Sequence, residues 1–353
     1  MTVDRLISLG LDTFGEPGNG PGGQLVSHPQ AIRDVVAEAV AADALGLDYF
    51  GVGEHHIDEM PISAPEVVLA AIAARTSRIR LSSAVTVLSS DDPVRVYQRF
   101  ATVDAVSGGR ADVMLGRGSS IDSFPLYGFD LADYELLFEE KLDLFAKLRD
   151  EQPITWQGRT RAPLTGQEVV PRTEAGLPVW VGVGGSPPSV VRAARHGLHV
   201  MFAVIGGDPV RFARLADLYR SAFDRLGGSP GLLGVHAPGH VAATDEEAAE
   251  EYWPFYRDFL PEKRAARGIP QPTPESFRHE IGPTGALFVG SPDTVSKKIV
   301  RTMTALGAHR FDLKYGIVGL PHASALRAIT LFGSEVAPRV RAAIGQAVPN
   351  PTR

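Results

Sequence analysis

Short apolar runs of strand length alternate with longer segments of helical period along most of the chain. Leu6 to Leu11 reads as a strand. In Ala31 to Leu45 the residues Ile32, Val35, Val36, Ala39 and Val40 recur at spacings of three and four, one apolar stripe that predicts a helix. Gly46 stands where that helix would end on a left-handed residue, and Asp48 to Val52 is the next strand. The stretch Ser83 to Leu88 and the run Ala111 to Leu115 follow as strands. Pro178 to Val183 then leads into a helix ending at His196, and His199 to Val204 into a helix ending at Leu226. Leu232 to Ala243 precedes a helix near Glu246 to Leu260, and Arg310 to Tyr315 precedes one near Ser324 to Ala343.

The helix starts are punctuated alike. Ser63-Ala64-Pro65-Glu66 and Thr244-Asp245-Glu246-Glu247 are capping-box patterns. Asp92-Pro93, Ser186-Pro187, Asp208-Pro209 and Ser291-Pro292 each set a capping oxygen before a proline suited to the first helical position. About eight strand–helix pairs in alternation predict a parallel sheet, and a length of 353 residues suits a (β/α)8 TIM barrel with insertions, forming a single domain over 1–353. The expected insertions, about 119–176 and 261–283, are rich in proline and weak in period, as lids and mobile loops are. The tail Val348 to Arg353 is expected to fray.

Composition narrows the picture. With no cysteine, disulfides, thiolate metal sites and a cysteine nucleophile are excluded, which fits a reducing cytoplasm. The net charge of -6 is spread along the chain without a basic stripe, so no nucleic-acid partner is expected. Met1-Thr2-Val3-Asp4-Arg5 lacks a signal pattern and no apolar run reaches membrane-spanning length, so a cytoplasmic enzyme of small molecules is the expected class.

Three successive strands end in residues that can carry chemistry, at the face where a parallel barrel holds its active site. The first ends in Gly53-Glu54-His55-His56, where extended neighbours point to opposite faces, so one imidazole looks into a given site. The second, Ser83 to Leu88, ends in small residues and runs through Asp91-Asp92-Pro93 into a helix, and the third ends in Gly116-Arg117-Gly118, where glycines let a ligand approach and a guanidinium can grip a phosphate. Gly184-Gly185-Ser186-Pro187-Pro188-Ser189 joins a strand to a helix start, a ready anion site. The dinucleotide fingerprint is broken there by Pro187, so a mononucleotide phosphate fits better than NAD. No zinc spacing is present: His236 and His240 share a strand face but lie far from the other histidines, and no metal site is expected. Gly-x-Ser-x-Gly is missing around Ser119 and Ser120.

Taken in order, Gly53-Glu54-His55-His56, Ala84-Val85-Thr86-Val87-Leu88, Asp92-Pro93-Val94-Arg95, Ser107-Gly108-Gly109-Arg110, Gly116-Arg117-Gly118 and Gly184-Gly185-Ser186 resemble the bacterial luciferase-like flavin monooxygenases, from about Ser8 to Ile317. The resemblance implies reduced FMN at the C-terminal face of the barrel. It makes His55 the catalytic histidine and Arg117, Ser186 and Ser189 the contacts of the FMN phosphate. Gly184 and Gly185 belong to the same turn, Gly185 standing where luciferase has an acidic residue. Ala84-Val85 matches a pair joined by a cis peptide under the flavin ring, and Asp122 an aspartate near that ring. Luciferase carries a reactive cysteine where this chain has Gly116, which argues against aldehyde bioluminescence.

The resemblance further implies a two-component monooxygenase: a separate NAD(P)H flavin reductase supplies reduced FMN, molecular oxygen reacts in a dry barrel, the insertion after Gly118 serves as lid, and a small organic substrate is oxygenated. A deazaflavin-dependent hydride transferase and a non-catalytic flavin-binding protein are the alternatives. Relatives pair through early barrel helices, so a homodimer is expected.

Overall fold

The computed structural model describes residues 7–118, 122–228, 230–266 and 268–347. Met1 to Leu6, Ser119-Ser120-Ile121 at the head of the expected lid, Ser229, Arg267 and the tail from Val348 lie outside the described residues.

Eight parallel strands pair in sequence order and close on themselves: β1 (Ser8–Thr13), β2 (Tyr49–Val52), β3 (Arg80–Ser83), β4 (Ala111–Gly116), β5 (Val179–Val183), β6 (His199–Ala203), β7 (Leu233–Val241) and β8 (Arg310–Lys314), which returns to β1. A helix follows each strand: α1 (His28–Ala44), α2 (Pro65–Ala73), α3 (Pro93–Ser107), α4 (Tyr134–Leu148), α5 (Pro187–Arg195), α6 (Ala213–Leu226), α7 (Pro292–Leu306) and α8 (His322–Leu331), the last prolonged through a π-helical turn into Ala337–Ala347. This is the TIM barrel that the alternation predicts. Closure removes sheet edges, and helices cover the outside, so the strands are buried on both faces.

Several boundaries move. The first strand is shifted toward the C-terminus of the expected Leu6–Leu11 and includes Asp12 and Thr13, both buried. Hydropathy misses them because the end of a barrel strand that faces the site is polar. The expected capping box at Ser63 does not form: α2 starts at Pro65 with Ala64 at its cap and no side-chain bond there. The other proline starts hold, with Asp92 accepting from the Val94 and Arg95 amides and Ser291 from the Thr294 amide. The expected structureless insertions contain elements of their own. Between β4 and β5 lie a short helix (Ser123–Tyr127), α4 and a hairpin (Ile154–Trp156 with Leu164–Gln167). After β7 the expected helix near Glu246 to Leu260 forms as Asp245–Arg257, and the segment beyond it holds helices Pro261–Ala266 and Pro274–Ile281 before a strand, Phe288–Gly290, added beside β7.

The barrel floor is charged. Arg310, at the start of β8, is fully buried with its guanidinium 3.6 Å from the centroid of the Tyr49 ring and 5.1 Å from that of Trp180. Its Nε donates to both oxygens of Asp312 at 3.0 and 2.9 Å. Asp112 accepts from Trp180 Nε1 at 3.0 Å and from Arg80 Nε at 2.9 Å. A Cβ on Gly10 would stand 2.5 Å from Asp312 Oδ1, so the glycine makes room for this cluster. Removing one member of a buried ion pair strands the other in a medium that cannot solvate it. We predict that Arg310→Met lowers unfolding free energy by roughly 3–5 kcal/mol, read by urea denaturation. A loss below about 1 kcal/mol, the range of surface pairs, would contradict this account of the floor.

Candidate active site

At the other end of the barrel, the segment after β3 folds into the mouth. The Ala84–Val85 peptide bond is cis, and Thr86–Val87 resumes pairing with β4. Val85 packs on an interior cluster of Met114, Trp180 and Met201, one layer above the floor. Glycines make room for this shelf. A Cβ on Gly116 would lie 2.6 Å from Val85 Cγ2, one on Gly182 3.1 Å from Val85 Cγ1, and one on Gly53 2.8 Å from the Ala84 carbonyl oxygen. A side chain at position 116 and the β-branch of Val85 therefore exclude each other, which accounts for glycine where the resemblance places a cysteine.

Glu54 fastens the shelf to the strand beside it. The Glu54 amide donates to the Val85 carbonyl at 3.0 Å, and its carboxylate accepts the Val87 amide at 2.8 Å. The other carboxylate oxygen meets His56 Nε2 at 2.9 Å. The adjacent imidazoles take different partners, although both line the same small pocket, which departs from the expectation that only one looks into a given site. His56 is held by Glu54 and set edge-on to Tyr127 at 5.3 Å, whereas His55 rests against Phe14 at 4.8 Å. Glu54, His55, His56, Val87, Gly118, Asp122 and Ser123 enclose a small pocket, so the structure brings Asp122 to the two histidines.

Arg117 follows β4 and pairs with Glu135 of α4, its guanidinium 5.4 Å from the centroid of the Tyr134 ring. Glu135 also lies 3.5 Å from Arg192 on α5, so the Arg117 loop and α5 share this carboxylate. At the start of α5 Ser186 occupies the cap position without using its hydroxyl there, and Ser189 is buried one turn on. Gly184 and Gly185 are exposed, with no atom within 4 Å of where a Cβ would be, and Gly185 adopts a φ of +123°. An open glycine turn, a spare hydroxyl and a helix N-terminus suit a phosphate. Buried hydroxyls of Thr86 and Ser123 without hydrogen-bond partners in the described structure flank the mouth and suit the polar edge of a heteroaromatic ring.

The two histidines of β7 part company. His240 is fully buried, bonds Glu251 at 2.8 Å and stacks on Tyr252. His236 faces the mouth and bonds Asp12. Sequence reasoning missed Asp12, Phe14, Glu16 and Lys314, which also line this end. Lys314 pairs with Glu16 and lies 4.9 Å from the Phe14 ring centroid. Among the described residues no group of three or more His, Asp or Glu is arranged to hold a metal, and no helix is long and apolar enough to cross a membrane.

Behind Glu54 a polar chamber of about 330 Å³ is lined by Glu66, Asp91, Arg99, Tyr127, Lys141 and Arg161 among others. Lys141 is buried there, donating to the Ser89 carbonyl at 2.6 Å with its ammonium 4.3 Å from the Phe129 ring centroid. Burial pushes its pKa from 10.5 down to about 8, against the pull of Asp91 and Asp92.

A family model described as luciferase-like monooxygenase matches residues 12–310. The chain is 23% identical over 335 residues, 91% of its length and 95% of the relative's, to an uncharacterised protein, y4vJ, of Sinorhizobium fredii. It is 27% identical over 324 residues to limonene 1,2-monooxygenase of Rhodococcus erythropolis, covering 86% of this chain and 80% of that one. Among solved structures it resembles monooxygenase RslO1 of Streptomyces bottropensis (TM-score 0.78, 24% identity, 94% and 99% of the two chains). It also resembles the oxygenating component of 3,6-diketocamphane monooxygenase from Pseudomonas putida in complex with FMN (TM-score 0.76, 20% identity, 95% and 99%). An F420-dependent secondary alcohol dehydrogenase with an F420–acetone adduct shares the fold too (TM-score 0.74, 16% identity, 95% and 99%).

Two predictions follow from the geometry. Gly116→Cys destabilises by roughly 1–3 kcal/mol through overpacking against Val85, and Val85→Ala relieves it; urea denaturation of the two single variants and the double reads a coupling of at least about 0.5 kcal/mol, and additive losses would contradict the clash. For Lys141, the folded chain holds fewer protons than the unfolded one between about pH 8 and 10.5. The wild type should therefore gain stability relative to Lys141→Met as pH rises through that window. A flat difference would contradict the burial of the charge.

Proposed function

The chain belongs to the luciferase-like monooxygenase family, whose members use FMN or F420, and from that premise we propose that it is a monooxygenase that takes reduced FMN from a separate NAD(P)H reductase and oxygenates a small organic molecule. The observation that carries this reading is the mouth itself: the Ala84–Val85 shelf fastened by Glu54, with His55 and Asp122 at one side and Arg117 with the α5 turn at the other. When bound, reduced flavin supplies the electrons that activate oxygen.

The protein's share is to bind, orient and keep dry. Arg117 and Ser186 would hold the phosphate, with the Gly184 and Gly185 amides and Ser189 completing the turn. Glu135 already neutralises Arg117, so an incoming phosphate has to share or displace that carboxylate. Ala84 and Val85 would support the ring on an apolar layer. His55, packed against Phe14 and lining the small pocket with Asp122, would give or take a proton from substrate or reacting oxygen, as an imidazole can. The helices that follow β4 would cover the mouth and exclude water. A homodimer and a cytoplasmic location complete this reading.

Hydride transfer to or from a deazaflavin is the second reading, and the solved F420-dependent relative with the same fold and nearly full coverage is what favours it. A flavin carrier without turnover is the third.

Arg117→Met should weaken reduced-FMN binding by about 10- to 100-fold, the worth of a charge-assisted phosphate contact. His55→Ala should leave that affinity nearly intact while slowing the proton-dependent oxygen reaction by about 100-fold or more. Anaerobic titration followed by mixing with oxygenated buffer reads both. Unchanged affinity in the arginine variant would sink the phosphate assignment, and an unchanged reaction in the histidine variant would point to a carrier.

A further inference from the structure

Asp12 and His236 form a pair that the roles above leave unused. Asp12, near the end of β1, is fully buried and meets His236 Nδ1 through Oδ2 at 2.6 Å. Its other oxygen is buried without a hydrogen-bond partner in the described structure. His236 lies on β7 beside Asp312 of β8 in register, and keeps 13% of its side chain exposed. With Nδ1 committed to Asp12, Nε2 is the ring nitrogen left to face the mouth. Phe14 contacts both imidazoles of the site: its centroid is 4.8 Å from that of His55 and 6.1 Å, stacked, from that of His236.

The comparison within β7 is instructive. Four residues along, His240 is sealed, bonded to a carboxylate and stacked on a tyrosine, and burial lowers its pKa. That is how a structural histidine sits. For His236 burial also opposes the charged form, yet the charge and hydrogen bond of Asp12 outweigh it, with Asp312 adding and Lys314 opposing, so its pKa lies above the ordinary imidazole value. Lys314 is itself tied to Glu16 and to the Gly316 carbonyl.

We propose that the Asp12–His236 pair is a second proton-handling group of this site, one that delivers a proton from His236 Nε2 to an oxygen atom of the reaction. The proposal rests on the flavin or deazaflavin reading given above and holds for either. In monooxygenation one atom of dioxygen enters the substrate, the other leaves as water, and reduced flavin provides both electrons; that water has to collect two protons. In hydride transfer to a carbonyl both electrons arrive at carbon and the oxygen takes one proton. In each case a proton has to reach an oxygen at the barrel mouth, and the imidazole recovers its own from solvent through its exposed edge. Asp12 holds the ring oriented and keeps the donor loaded near neutrality.

The test uses the full chain, Asp12→Asn and His236→Asn. Imidazole titration by NMR on the cofactor-free protein should place His236 above the ordinary value of about 6.5, and Asp12→Asn should lower it by a unit or more. The oxygen reaction of protein loaded anaerobically with reduced FMN, or with reduced deazaflavin and a carbonyl acceptor, is then followed across pH. His236→Asn should retain cofactor affinity, slow the reaction at least about tenfold, and abolish the limb of the profile that tracks the His236 titration. Asp12→Asn should shift that limb to lower pH by the amount seen in the titration. A limb unmoved by both variants, or a His236 midpoint that does not depend on Asp12, overturns the proposal while leaving the cofactor reading in place. Should Asp12→Asn fail to fold, the His236→Asn profile decides alone. Failure of the wild type to bind either reduced cofactor overturns the reading of function, and this proposal with it.

Discussion

One carboxylate holds the barrel mouth together. Glu54 extends from the end of β2, accepts the Val87 amide beyond the shelf and turns its second oxygen to His56. The loop after β3 could otherwise leave the barrel as its counterparts do. Tied down, it lays Ala84 and Val85 across the opening, where glycines on β4, β5 and the end of β2 leave them room. Glu54 lines both the small pocket of His55 and Asp122 and the polar chamber of Lys141.

Stability and chemistry are divided along the barrel axis. The floor is closed by Arg310, Asp312, Asp112 and Arg80 against Tyr49 and Trp180, a largely buried charged network. Above it come Met114, Trp180 and Met201, then the shelf, then the ionisable residues at the mouth. A barrel closed in this way tolerates variation in the loops at its open end. That is consistent with a family in which one fold serves FMN-dependent oxygenation and F420-dependent hydride transfer.

Much of this was legible in the chain. Alternating period, with proline at helix starts, is a local signal, and it placed seven of the eight barrel strands within a few residues; the fold followed. Glu54, His55, Arg117 and the Gly184–Ser186 turn were legible because each sits in a short polar or glycine-rich run at a strand end. The missed residues share a different property: their partners are remote. Asp12 meets His236 across 224 residues, and Glu16 meets Lys314 across 298. Single polar residues inside apolar runs carry no pattern until closure of β8 on β1 brings them together. Ser63 misled for a local reason, since Pro65 rather than the expected hydroxyl sets where α2 begins.

The central claim is that this mouth holds a reduced flavin or deazaflavin ring on the Ala84–Val85 shelf. Equilibrium titration of the wild-type chain under anaerobic conditions with reduced FMN and, separately, reduced deazaflavin tests it most directly. Saturable one-to-one binding of reduced FMN, tighter than that of deazaflavin and followed by slow recovery of oxidised-flavin absorbance on admitting oxygen, is the predicted result. Binding of neither cofactor would contradict the account.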